Sequence, residues 1–313
     1  MRAVTAWDEK VAVRDYPDPE PGPGQILVGV RAAGLNSADL LQVRGFYPAP
    51  PGYPPDILGL EMAGEVIATG PGVTRFTTGD RVMAVVGGGG QAEMAVIHER
   101  EAMPVPAGLD WVVAGGLPEV FTTAHDALFT QAGLGAGERL CVSGAAGGVG
   151  TAAVQLGVSA GASVTATVRS LSRRDQVASL GATVIDPSEL NEAGPFDVIL
   201  ELVGAPNLGA NLNALATGGR ISVIGTGAGA VGEINLGTLM TRRARIHGST
   251  LRARPLEGKA AAARLVESHV LPLFESGRVT VPVDSTFAIE DAPSAYEHFA
   301  AGGKFGKIVL AAG

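Results

Sequence analysis

A single cysteine, Cys141, occurs in 313 residues, so no intrachain disulfide and no multi-cysteine metal cage can form. Charged residues are also scarce, at 17%, and there is no run of Lys or Arg with interleaved aromatics. A net charge of −8 and a pI near 5.2 repel polyanions, which excludes nucleic acid as a main partner. There is no uninterrupted apolar run of about 18 residues, and no basic segment followed by an apolar core opens the chain. A soluble, cytoplasmic protein with no membrane partner is therefore expected. The five histidines, His98, His125, His247, His269 and His298, lack metal-ligand spacing and read as structural or surface residues. Cys141 reads as a small buried strand residue, with nothing adjacent to activate its thiol.

The chain does have apolar residues, at 46%, enough for large cores, and its length suggests two domains. The first third mixes short β-like runs with Pro and Gly: Val11 to Arg14, Gln25 to Ala32, Gly64 to Thr69, Asp80 to Val86 and Gln91 to Ile97. This texture predicts a β-rich, barrel-like lobe. Pro48 to Pro55 is stiffened by prolines and reads as an ordered, exposed loop. Gly87 to Gly90 reads as a flexible turn, with a mobile edge of a cleft as the functional alternative.

From about Leu117 strands alternate with helices. Leu140 to Ser143, Ser163 to Val168, Asp197 to Leu202 and Arg220 to Ile224 are apolar strands, and Gly148 to Ala160 and Ser172 to Leu180 are helical. This is the grammar of βαβ units on a parallel sheet. Glu257 to Ser276 reads as one long helix, followed by a β-like Val279 to Val283 that rejoins the first lobe. The expected division is 1–118 with 265–313 for the first domain and 119–264 for the inserted one.

Gly144-Ala145-Ala146-Gly147-Gly148-Val149-Gly150 follows the strand ending at Ser143 and opens a helix, the context a dinucleotide turn requires. A pyrophosphate has to approach the backbone closely there, and free N–H groups at the helix start stabilise its charge. Gly144, Ala145, Gly147, Gly148 and Val149 are thus cofactor-binding candidates. The next strand ends in Val168-Arg169-Ser170-Leu171-Ser172-Arg173-Arg174, with no carboxylate to bind a ribose 2′-hydroxyl. Guanidiniums and hydroxyls suit a 2′-phosphate instead, so Arg169, Ser170 and Arg173 favour NADPH. Val203 and Gly225, at the ends of two later strands, are candidates for the nicotinamide side; ordinary glycine turns explain them equally well.

Several further segments carry a resemblance: Ala33 to Asp39, Gly45-Phe46-Tyr47-Pro48, Ile57 to Glu61, Leu117 to Leu128, Gly248 to Arg254 and Gly306-Lys307-Ile308-Val309. Together with the glycine turn they resemble the medium-chain dehydrogenase/reductase superfamily, in its quinone oxidoreductase branch. The resemblance implies an α/β protein: a GroES-like β-barrel lobe with an inserted Rossmann domain on a doubly wound parallel sheet. Zinc-dependent relatives carry Cys where Asn36 stands and His where Leu60 stands, so the resemblance implies no catalytic zinc here. It places Asn36 and Tyr47 near the nicotinamide and Thr123 near its carboxamide, and it implies a homodimer. Two departures stand out: Pro187 and Gln91 occupy positions where relatives often have tyrosine.

The chemistry implied is metal-free hydride transfer from NADPH to a quinone, with Tyr47 and Asn36 as catalytic candidates that hydrogen-bond the developing oxyanion. Packing of the Tyr47 ring and a loop-stabilising bond from Asn36 are the structural alternatives. Reduction of an alkenal or enone double bond is the rival activity. A non-enzymatic, NADPH-binding or structural protein is the rival of another class.

Overall fold

The computed structural model describes residues 1–311, which divide into two compact units: Met1–Thr122 with the chain from Leu251 onward, and Thr123–Thr250. The second boundary therefore falls at Leu251, ahead of the expected 264/265. That expected position lies inside the helix Leu256–His269. The alternating helix and strand pattern runs on without a break there, so sequence periodicity carries no mark of the change of unit.

The first unit is built on a seven-stranded sheet. Its strand order is Val283–Ala288, Lys307–Ala311, Gln25–Gly34, Glu61–Thr69, Arg81–Val85, Ala102–Pro104, with Met94–His98 also paired to Gln25–Gly34. The long strand Gln25–Gly34 alternates in burial, with Ile26, Val28 and Val30 turned inward onto Met62, Val66, Val82 and Ile97. Pairing is antiparallel except between Val283–Ala288 and Lys307–Ala311. A hairpin, Arg2–Trp7 with Lys10–Asp15, joins this unit through bridges at Ala3–Ala92 and Thr5–Ile57.

Three local expectations need correction. Gly87–Gly90 is buried and hydrogen-bonded, not a flexible turn: Gly89 and Gly90 donate to the carbonyls of Ile57 and Gly59. A Cβ on Gly87 would stand 2.6 Å from the Tyr53 ring, so close packing selects glycine there. The long helix breaks at Val270 into Leu256–His269 and Leu271–Glu275, because Pro272 has no N–H to continue the ladder. The β-segment expected at Val279 to Val283 is instead the strand Val283–Ala288, because Pro282 ends the stretch before it; the Pro282 carbonyl accepts from the Lys307 N–H.

The second unit is a six-stranded, wholly parallel sheet in the order Thr183–Ile185, Ser163–Thr167, Arg139–Ser143, Phe196–Glu201, Leu215–Val223, Arg245–Gly248. Chain order reverses beside Arg139–Ser143, the switch point at which ligands bind in such sheets. The apolar strands are buried on both faces: Leu140, Cys141, Val142, Val198, Ile199 and Leu200 are inaccessible to solvent. Burial pushes the Cys141 thiol up to about 12, so it stays protonated and unreactive at neutral pH. Among the described residues no helix is long and apolar enough to cross a membrane.

Candidate cofactor cradle and active site

In the second unit, the strand Arg139–Ser143 ends at Gly144, whose φ of +69° turns the chain into the loop. The helix Gly148–Ser159 follows, capped by Gly147 with no side-chain hydrogen bond, so the amides of its first turn remain available to an anion. A Cβ on Gly150 would lie 2.6 Å from the Ala145 Cα, which shows how closely the helix start presses on the loop. A Cβ on Gly147 would meet only the Gly144 carbonyl oxygen, at 3.9 Å. The space beside Gly147 is thus open, bordered by backbone alone, as a pyrophosphate needs.

The turn after Phe196–Glu201 comes next to this loop: a Cβ on Gly144 would be 3.1 Å from Val203 Cγ2. Its shape is set by Glu201. The buried carboxylate accepts from the Val203 and Gly204 amides at 2.6 and 2.7 Å and from the side chains of Asn207 and Asn211. Gly225 lies beside it, since a Cβ there would stand 2.2 Å from the Leu202 carbonyl oxygen. Gly144, Val203 and Gly225 are therefore drawn together at the carboxyl ends of adjacent strands.

At the end of Ser163–Thr167, Arg169 and Ser170 are exposed and Arg173 partly so. Ser170 caps the helix Leu171–Ala178, and its Oγ lies 2.9 Å from that of Ser172. Arg173 Nη1 donates to Gln176 at 3.0 Å, whereas Arg169 has no hydrogen bond or ion pair to a described residue. Arg174 is committed elsewhere: it donates to the Val168 carbonyl and, at 2.6 Å, to Asp186. That ion pair explains the nearby carboxylate, which the Ser188 amide and hydroxyl, ahead of Arg174, hold below the usual range. Thr123 is buried in the helix Pro118–His125.

In the first unit Asn36 and Tyr47 stand in different settings. Asn36 is the N-cap of the helix Ser37–Val43 and is buried. Its Nδ2 donates to Glu61 Oε1 at 3.0 Å, and its Oδ1 accepts from Lys307 Nζ at 2.8 Å. Lys307 also meets Glu61 Oε1 at 2.6 Å and donates to the Leu35 carbonyl. Asp39 completes the cluster, accepting from the Asn36 amide at 2.8 Å and from Gln91 Nε2 at 3.4 Å, while its Oδ1 is buried without a partner. Burial pushes the Asp39 carboxyl up to about 6, and hydrogen bonding and Lys307 oppose the shift. Gln91, at the position where relatives often have tyrosine, accepts from the buried Tyr296 hydroxyl at 2.8 Å.

The signal for this cluster was present in the sequence, as single charges inside apolar runs: Glu61 after Ile57-Leu58-Gly59-Leu60 and Lys307 before Ile308-Val309-Leu310. Tyr47 is partly buried, and its hydroxyl has no hydrogen bond to a described residue. Burial is the main cause that raises its pKa, with Glu119 adding to the shift and Arg252 opposing it.

A zinc ion does not fit these residues. Asn36 is already occupied by Lys307, whose charge would repel a cation, and Leu60 is a buried hydrocarbon. Among the described residues no three His, Cys, Asp or Glu side chains gather to hold a metal.

Comparison with known proteins agrees with this architecture. Residues 22–107 match the alcohol dehydrogenase GroES-like domain and residues 148–268 the zinc-binding dehydrogenase family. The quinone oxidoreductase of Pseudomonas aeruginosa is 32% identical over 98% of this chain and 97% of its own length. The acryloyl-coenzyme A reductase of Metallosphaera sedula is 30% identical over 99% of both. The pikromycin polyketide synthase component of Streptomyces venezuelae is 36% identical, but this chain spans only 8% of it. Among solved structures, an alcohol dehydrogenase superfamily protein from Novosphingobium aromaticivorans superposes with a TM-score of 0.89 at 31% identity over the whole of both chains. A mycobacterial protein complexed with NADPH does so at 0.88 and 25% identity, over 99% of this chain and all of its own.

The chain belongs to the medium-chain dehydrogenase/reductase superfamily and is quinone oxidoreductase-like. It is an oxidoreductase of a family that uses a nicotinamide cofactor and small-molecule substrates.

Proposed function

We propose that this protein is an NADPH-dependent, zinc-independent quinone reductase. The observation that carries the cofactor choice is the pairing of Arg174 with Asp186. It occupies the Asp186 carboxylate, beside a turn where the exposed Arg169 and Ser170 and the partly exposed Arg173 would give a 2′-phosphate forked, charge-assisted bonds. Gly144, Ala145, Gly147, Gly148 and Val149 hold the pyrophosphate, with Val203, Gly225 and Thr123 on the nicotinamide side. Bound there, the cofactor supplies a hydride.

The Tyr47 hydroxyl, unpaired within the protein, donates to the acceptor oxygen as negative charge develops on it. Asn36, whose amide is engaged by Glu61 and Lys307, serves by holding the start of the helix Ser37–Val43 in place. Solvent returns the final proton. The quinone oxidoreductases of Pseudomonas aeruginosa and Rattus norvegicus, 32% and 33% identical, support the acceptor class.

Steady-state oxidation of NADPH and NADH with a panel of quinones and enals tests this. A preference for NADPH that is lost in Arg169→Ala/Arg173→Ala, together with quinone turnover, is the expected result. The similarity to acryloyl-coenzyme A reductase favours a second reading, reduction of a conjugated double bond. A preference for enals above about tenfold in kcat/KM selects it. Tight NADPH binding without turnover of any acceptor selects a non-enzymatic role. The exposed Val231, Leu236 and Met240, in the second unit with the sheet-edge strand Arg245–Gly248, support a homodimer, which light scattering measures.

A further inference from the structure

Tyr47 lies in a segment with no regular secondary structure, between the helix Ser37–Val43 and the strand Glu61–Thr69, and nothing in its local sequence fixes the ring. The fixing group comes from far along the chain. Arg252 is 4% exposed and uses all three nitrogens of its guanidinium. Nε donates to the Gly87 carbonyl at 2.7 Å, Nη1 to the Tyr47 carbonyl at 2.5 Å, and Nη2 to Gln42 Oε1. The same guanidinium lies 4.9 Å from the centroid of the Tyr47 ring. One rigid fork thus holds both the backbone and the ring of Tyr47, and only the hydroxyl end is left without a partner.

Other contacts also anchor the segment. Gln42 Nε2 donates to the Pro55 carbonyl at 3.1 Å. Tyr53 is held between Lys259, which donates to its hydroxyl at 2.5 Å, and Glu101, which accepts from it at 2.8 Å. Between Tyr47 and Pro55, Arg252 contacts Tyr47 directly, whereas Pro55 is reached through Gln42, which accepts from Arg252 Nη2.

We propose that Arg252 is a positioning residue for Tyr47, setting the direction in which the hydroxyl is presented to the acceptor. The proposal rests on the reading of Tyr47 as the hydrogen-bond donor. It gives the segment Gly248 to Arg254 a role in the reaction, because a misplacement of about 1 Å in a reacting group costs about a hundredfold in rate.

The test compares the full chain as wild type, Arg252→Met, Arg252→Lys, Tyr47→Phe and Arg252→Met/Tyr47→Phe, assayed with NADPH and 1,4-benzoquinone. Arg252→Met is expected to lower kcat by about 10- to 100-fold with KM for NADPH unchanged. It should cost less than about twofold further when Tyr47 is already Phe. Alkaline titration of tyrosinate absorbance gives a readout independent of turnover. All four tyrosines are shifted upward, and the step of Tyr47 is identified by its absence from Tyr47→Phe. That step should vanish in Tyr47→Phe and move to higher pH in Arg252→Met, since Arg252 favours the tyrosinate while Glu119, the other charge facing it, opposes it.

Wild-type kcat in Arg252→Met, a full additional loss in the double variant, or an unmoved Tyr47 step overturns the proposal. If Arg252→Met does not fold, Arg252→Lys decides: it keeps the charge but cannot reach three acceptors, and wild-type kcat in it overturns the assignment. If Tyr47→Phe turns over as wild type, the donor reading falls, and the titration alone then decides whether Arg252 holds the ring.

Discussion

Lys307 Nζ stands 2.6 Å from Glu61 Oε1, and both side chains are shut off from solvent, at 3% and 0% exposure. A buried pair of this kind is held by its geometry, and losing one partner strands the other's charge. Glu61 also accepts from the Glu119 amide at 2.8 Å and from Asn36, so it ties together three separate parts of the first unit. Glu61→Gln and Lys307→Met are each expected to lower unfolding free energy by about 3–5 kcal/mol. The double variant should lose less than the sum, which urea unfolding of the three variants and the wild type measures.

Asp39 imposes a pH dependence of the opposite sign to that of an ordinary surface carboxylate. Its folded pKa, pushed by burial to about 6, lies above its unfolded value. The fold thus favours the protonated form, and the stability this provides is complete below the unfolded pKa and lost as pH rises through about 6. Wild type should weaken relative to Asp39→Asn between about pH 4 and pH 6.5, by at most about 3 kcal/mol. Unfolding midpoints at a series of pH values test this; a constant difference between the two proteins would count against it.

Gly147→Ala separates folding from cofactor binding. The added methyl group meets only the Gly144 carbonyl oxygen at 3.9 Å, and φ of −80° is ordinary for alanine, so the melting temperature should hold. The methyl group would occupy the approach of the pyrophosphate, and the Kd for NADPH should rise about tenfold or more. Calorimetric titration and thermal melts read the two effects separately.

Arg173 and Arg174 are neighbours with different work. Arg173→Ala should weaken NADPH by about 1.5–3 kcal/mol, the worth of a charge-assisted bond, and leave NADH unchanged. Arg174→Ala should change stability by no more than about 1 kcal/mol, because its pair with Asp186 is partly exposed. It should also leave the NADPH to NADH ratio within about threefold of wild type, since its guanidinium already serves Val168 and Asp186. Fluorescence titration with both cofactors distinguishes the two variants.

Local signals made part of this protein legible. The glycine turn after Leu140 to Ser143 could be read because its strand, loop and helix are contiguous, and the basic turn at Arg169 because it follows the next strand directly. The buried state of Gly87–Gly90 could not be read, since the reason is the Tyr53 ring, which arrives from another loop. The break at Val270 was signalled by Pro272 but hidden by the apolar periodicity on either side. Glu201 ends an apolar strand, and only the fold turns two later asparagines, Asn207 and Asn211, toward it.

By itself the sequence determined the doubly wound sheet, the strand, glycine turn and helix around Gly144 to Gly150 and the excess of cations after the next strand, because each depends on residues adjacent along the chain. Tertiary structure alone decided that Arg174 is paired, by bringing Asp186 to it. It decided also that the Asn36 amide is consumed by Glu61 and Lys307 while the Tyr47 hydroxyl is left open. The physical reason is common to these cases: a hydrogen-bonding group is spent or spared according to what the fold places within about 3 Å of it, and those partners are remote in sequence.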